Sequence, residues 1–196
     1  YTILTGEKNG IRAQQELFVP RGDACEIDRL TLENKTDAPH TLDVFSYVEF
    51  CLWDAMDDSS NFQRNFSTGE VEVVGSAIYH KTEYRERRDH YAVFWANTPV
   101  TSFDTSRDAF CGVYGGPAEP EAVKAGHCSN SVAHGWAPVG AHHFHLTLEA
   151  GETKTILFGL GYIENPVAEK FTAPGVINKA RAEAMMARYA TDAQVD

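Results

Sequence analysis

An antiparallel β-sandwich is the fold that this sequence predicts, and three observations predict it. About ten short runs of strand-forming residues are separated by turn clusters. One run, Thr41–Leu52, is apolar on both faces, as a covered strand requires. Two others, His143–Leu148 and Thr155–Gly161, carry one period-two pattern across the turn Glu149-Ala150-Gly151-Glu152, which reads as a hairpin.

Tyr1–Leu4 is strand-like from its first residue, so the chain starts inside a pattern and is expected to be a piece of a longer protein. Arg12–Val19 reads as a strand that ends at the turn cluster Pro20-Arg21-Gly22-Asp23. Glu26–Glu33 follows, with Leu30 and Leu32 on one face. Asn34–Pro39 is a polar turn, in which Asn and Asp bond their own backbone and Pro ends the pairing. In Thr41–Leu52, Leu42, Val44, Val48 and Phe50 share one face, and Phe45, Tyr47 and Cys51 share the other. That pattern predicts a central strand covered on both sides. Further strands are predicted at Val71–Val74, Ala77–Tyr84, Tyr91–Asn97, Ala109–Tyr114 and Val132–Ala137. Pro117–Ala125 is expected to make a turn or two of helix. Val176–Ala190 is rich in Ala, Glu, Met and Arg and predicts a longer one after the break Pro174-Gly175. The change of composition near Glu164–Gly175 divides the chain into a sandwich, residues 1–165, and a linker, residues 166–196, expected to lead into a helical region.

A length of 196 residues with 43% hydrophobic and 11% aromatic content suits one domain with its own core. The net charge of −11 argues against nucleic acid, which needs a basic face. Cys25, Cys51, Cys111 and Cys128 form no CxxC pair, so four buried thiols in a reducing compartment are expected. No run approaches the roughly 18 apolar residues of a membrane span, and no signal peptide is visible.

The chemistry-bearing candidates each have a structural alternative. Asp57-Asp58 could serve as an acid–base pair or simply as a solvated turn. Glu49, on a strand expected to be covered, needs a cationic partner, with Arg64, Arg85 and Arg87 as candidates. Lys81–Arg88 alternates sign at strand period and suits cross-strand ion pairs or an interface. His143 and His145 share one strand face at metal-like spacing, but no third ligand is evident, so no metal is expected. No GxSxG, HExxH, Walker or GxGxxG pattern occurs. The loop Asn61–Asn65 sets Gln63, Arg64 and Asn65 between Phe62 and Phe66. Amides and a guanidinium between aromatics suit a hydroxyl-rich ligand, and they equally suit a turn whose amides bond the backbone.

The run VEFCLWDAMDDSSNFQRNFSTGEVEV, followed by YHKTEYRERRDHYAVF, resembles the amino-terminal β-domain of the cellobiose phosphorylases, inverting disaccharide phosphorylases of glycoside hydrolase family 94. The resemblance continues through FDTSRDAF, NSVAHGWAPV and LTLEAGETKTILFGLGYIENP, and covers nearly the whole chain. It implies a galactose-mutarotase-like supersandwich, truncated at its start, whose linker helix leads to an (α/α)6 barrel absent from this chain. It implies a glycosyltransferase reaction in which inorganic phosphate, a co-substrate, converts cellobiose to α-glucose 1-phosphate and glucose. The general-acid Asp would lie in the barrel, so no catalytic residue and no cofactor are expected here, and this chain alone is expected to be inactive. The family's cytoplasmic homodimers imply dimer contacts through the sandwich. They also imply a loop, matching Gln63, Arg64 and Asn65, that reaches the partner's sugar pocket. Two other readings stay open. One is a carbohydrate-binding or purely structural dimerisation sandwich. The other is an aldose 1-epimerase-like enzyme, which needs a His and a carboxylate facing each other across an open cleft.

Overall fold

The computed structural model describes residues 1–50, 56, 69–82, 89–133 and 138–195. Ten strands make the two main sheets: β1 (Thr2–Lys8), β2 (Ile11–Phe18), β3 (Cys25–Asn34), β4 (His40–Glu49), β5 (Gly69–Val74), β6 (Ala77–Thr82), β7 (His90–Ala96), β8 (Ser102–Ser106), β9 (Pro138–Leu148) and β10 (Thr153–Glu164). A seven-stranded sheet has the order β1-β2-β3-β10-β7-β6-β5, and a three-stranded sheet has the order β4-β9-β8. Every pairing in both is antiparallel. Among the described residues, short helices run over α1 (Arg107–Cys111), α2 (Glu121–Ala125) and α3 (Ala180–Arg188). A small hairpin, β11 (Phe171–Ala173) with β12 (Val176–Ile177), precedes α3. The mainly β sandwich expected from the patterning is what forms. Among the described residues, no helix is long and apolar enough to cross a membrane.

The period-two side-chain alternation builds one core on each side of the large sheet. Ile156, Phe158 and Leu160 of β10, with Phe94 and Ala96 of β7, meet Val44, Val48, Phe144 and Leu146 of the small sheet. The opposite registers, Tyr91, Val93, Trp95 and Ile163, face away and are covered by Ile177 of β12 and by Ala182 and Met185 of α3. Gly159 and Gly161 make this second core possible. A Cβ at Gly159 would stand 2.1 Å from the Trp95 indole, and one at Gly161 would stand 2.9 Å from Met185 Sδ. The two missing side chains leave the hollow in which the indole and the helix seat. Asp23, in the β2–β3 turn, fastens the end of α3 by accepting from Arg188 Nη2 at 2.6 Å and from Tyr189 Oη at 2.5 Å. Those two hydrogen bonds, Tyr189 first, hold the Asp23 carboxyl below its ordinary range. A third core, Phe110, Cys111, Ala122, Cys128 and Ala141 with Phe45 and Tyr47, lies on the outer face of the small sheet under α1 and α2.

Several expectations are corrected. Thr41–Leu52 is described as β4 only to Glu49 and is an edge strand, not a central one. Its two apolar faces are nevertheless both used, one by the inter-sheet core and one by α1 and α2. Ala109–Tyr114 is not a strand: Ser106 caps α1 by accepting from Ala109 N, and Gly112 ends it at φ +89°. Ser102–Ser106, too polar to read as a strand, is β8. Of the strand expected at Val132–Ala137, residues 132 and 133 lie outside any strand and 134–137 lie outside the described residues. The helix expected from Val176 starts at Ala180, because Val176–Ile177 pairs with β11. Cys25, Cys111 and Cys128 are buried free thiols, as expected, and Cys51 lies outside the described residues.

Candidate functional site

Registers show where the candidate loops join the sandwich. Glu49 pairs with Val139, and Phe50 N donates to Pro138 O at 3.2 Å. Gly69 pairs with Thr82, Lys81 with Tyr91, and His90 with Glu164. The Phe50 ring stacks on His80 at 5.3 Å, which brings the end of β4 against β6. So β4, β6 and β10 finish, and β5, β7 and β9 begin, at one end of the molecule. The strand ends that flank residues 51–68 and 83–88, and the start of β9 that follows 134–137, therefore lie there. Gln63, Arg64 and Asn65, the predicted sugar-contacting residues, lie outside the described residues, as do Asp57, Asp58, Arg85 and Arg87.

The described residues give this end a polar surround. Lys81 is 3% exposed and lies 2.5 Å from Glu70 Oε2, with its ammonium 4.4 Å from the Phe171 ring centroid. Glu72 accepts from Ile177 N at 2.7 Å and ion-pairs with Lys179, which draws the β11–β12 hairpin onto β5. On the other sheet, Glu49 Oε1 accepts from Tyr47 Oη at 2.7 Å and from Arg107 Nε at 3.4 Å. This corrects the expectation for Glu49. Its side chain is 54% exposed and paired with Arg107, so a buried counter-ion is not required. Burial first, and then the Glu49 contact, push the Tyr47 hydroxyl well above its ordinary pKa, so it stays a donor.

Asp104 is the residue that sequence reasoning missed. It is fully buried on β8. Its carboxylate accepts from Ser129 Oγ at 2.6 Å, Ser131 N at 3.0 Å and Ser129 N at 3.2 Å. Thr105 completes the knot, donating from Oγ1 to Ser131 O at 3.0 Å and accepting from Ala133 N at 2.8 Å. The knot ties β8 to residues 129–133. Burial, with Asp104 beside it, pushes the Cys128 thiol up to about 12. The available signal was the run of small polar residues, Ser129, Asn130 and Ser131, which a buried carboxylate organises well.

His143 and His145 do share a face of β9, and the small sheet supplies the third group that spacing alone did not reveal. Asp43 of β4 lies opposite His145, and its Oδ1 is 2.8 Å from His143 Nε2 and 2.8 Å from His145 Nδ1. The two imidazole contacts, His143 first, hold the Asp43 carboxyl below its ordinary range. His143 Nδ1 is 2.9 Å from Ser102 Oγ, and the ring stacks on Phe45 at 4.7 Å. The contacts between carboxylate and imidazoles are direct. No sugar ring fits between them, which removes the geometry that an epimerase needs at this pair.

The model for the glycosyl hydrolase 94 supersandwich domain matches residues 1–192. The chain belongs to the glycosyl hydrolase 94 supersandwich family. It is 30% identical over its whole length to an N,N'-diacetylchitobiose phosphorylase of Vibrio furnissii, of which it covers 23%. It is 32% identical over 82% of its length to the same enzyme of Vibrio proteolyticus, and 31% identical over 79% to a solabiose phosphorylase of Paenibacillus borealis, covering 20% of each. The chain thus spans about a fifth of the length of the curated relatives it matches.

Proposed function

We propose that this chain is the non-catalytic supersandwich of an inverting disaccharide phosphorylase. In this reading the general acid lies outside residues 1–196, and phosphate attacks the anomeric carbon of a β-linked disaccharide to give a sugar α-1-phosphate. The sandwich contributes dimer contacts and a loop, Gln63, Arg64 and Asn65, that hydrogen-bonds the acceptor sugar. The 166–196 segment would start the connection to a helical barrel. The observation that carries the reading is the family match over residues 1–192, together with convergence of the candidate loop's anchor points at one end. Three buried free thiols suit a reducing compartment, in keeping with a cytoplasmic enzyme.

Cellobiose is the substrate that the family resemblance implies. The curated relatives are named for diacetylchitobiose and solabiose, so diacetylchitobiose is the second substrate of this proposal. The test is a phosphorolysis assay of the whole protein with each disaccharide, following phosphate consumption and sugar 1-phosphate formation. Turnover of one disaccharide with phosphate, and none by residues 1–196 alone, is expected. Phosphate-independent hydrolysis, or anomer interconversion by the isolated chain, would overturn it.

A further inference from the structure

We propose that Asp43, His143 and His145 form a binding site for one divalent first-row transition metal, with Zn2+ the ion that the donor set fits best, on the outer face of the three-stranded sheet. Among the described residues, this is the group whose three metal-type ligand atoms all lie within 4.8 Å of one another. Two imidazoles and one carboxylate select Zn2+ and its neighbours over Ca2+ or Mg2+, which prefer oxygen alone. The ligands come from two paired strands and are fixed by register: Asp43 stands across from His145, and His143 lies two residues along the same face.

The surroundings are those of a supported ligand set. Ser102 Oγ accepts from Cys128 N at 3.0 Å and lies 2.9 Å from His143 Nδ1. With the ion bound, the second lone pair of Ser102 Oγ would accept the Nδ1 proton and leave the Nε2 lone pair for the metal, in place of the hydrogen bond to Asp43. An outer hydrogen bond of this kind fixes a ligand's tautomer and ring orientation. His143 is immobilised, with 3% of its side chain exposed, whereas Asp43 at 39% and His145 at 58% are open to solvent. The open side admits the ion and leaves a coordination position for water. Metal bonds of about 2.0–2.2 Å at tetrahedral angles place neighbouring donors roughly 3.3–3.6 Å apart. The present 2.8 Å contacts need only small side-chain rotations to reach that, and exposed His145 is free to make them. Bound there, the ion would clasp the edge strand β4 to β9.

The test uses the whole protein, stripped with a chelator and dialysed against ZnCl2, with Co2+ as a spectroscopic probe. One Zn2+ per chain is expected, together with the visible ligand-field bands of Co2+ bound through nitrogen and oxygen. His145→Ala removes an exposed ligand at little cost to folding and should weaken binding by more than about 100-fold. Ser102→Ala removes the outer hydrogen bond, along with the acceptor of Cys128 N, and should cost about 10- to 100-fold. His40→Ala, outside the cluster, should leave binding unchanged. Asp43→Ala should abolish it, with circular dichroism confirming that the metal-free variant is folded; if that variant is not folded, His145→Ala decides. Substoichiometric Zn2+ in the wild type, binding that survives His145→Ala, or equal loss on His40→Ala would each overturn the site.

Discussion

Substituting His142 by Leu should remove a measurable part of this chain's sensitivity to acid. His142 is fully buried between the sheets, its ring stacked on Phe94 at 4.6 Å and within 6.5 Å of Phe158. Its Nδ1 reaches Ser46 Oγ at 3.4 Å, and its Nε2 has no hydrogen-bond partner among the described residues. Burial alone depresses its pKa from 6.5 to about 3. Between those values the unfolded chain binds a proton that the folded chain refuses. The stabilising effect is therefore complete above about pH 6.5 and is lost as the pH falls toward 3. From about pH 7.5 to about pH 5, the linkage relation gives a loss of about 2 kcal/mol from this one residue. Urea unfolding of wild type and His142→Leu at both pH values isolates it, because every other titrating group is common to the two proteins. The variant should lose about 2 kcal/mol less than the wild type over that interval. Equal losses would refute the buried neutral imidazole as the source.

Gly159→Ala forces a methyl group into the Trp95 indole and should cost about 1–3 kcal/mol in urea unfolding; an unchanged midpoint would contradict the packing described. Asp104→Ala leaves the amides of Ser129 and Ser131 without their acceptor, with an expected loss of roughly 1–3 kcal/mol and faster proteolysis after residue 128. Arg64→Ala in the whole protein should lower kcat/KM for the disaccharide by an amount equivalent to about 1–3 kcal/mol while thermal unfolding is unchanged; wild-type kinetics would remove Arg64 from the sugar site.

Much of the sandwich could be read from the sequence because its strands are amphipathic in a simple way. The apolar residues of His143–Leu148 and Thr155–Gly161 recur at period two, and the hairpin of β9 and β10 was placed by that pattern and the turn residues alone. The FGLG run of β10 shows the limit of that reasoning. Its glycines look like weak strand residues, and only the partner strand shows that Trp95 occupies their space. β8 was hidden because its side chains serve hydrogen bonds: Ser102, Asp104 and Thr105 are buried polar groups, and burial of polar groups leaves no hydrophobic period. Asp43 was invisible as a partner of His143 and His145 for a different reason. The pairing of β4 with β9 joins residues far apart in the chain, and register is not written in either strand by itself. The polar loop around Arg64 lies outside the described residues, and the described strands account only for where its two ends are anchored.

The central place of β10 has a consequence for the order in which this chain takes shape during synthesis. β10 is last of the ten to leave the ribosome, yet it alone joins β3 to β7. Before it emerges, the large sheet exists only as two separate ribbons, β1-β2-β3 and β7-β6-β5, each with an unfilled hydrogen-bonding edge. Unpaired edges of this kind attract other chains. A nascent or truncated product that stops short of residue 164 would therefore carry two adhesive borders, and the last strand acts as the key that locks both of them shut.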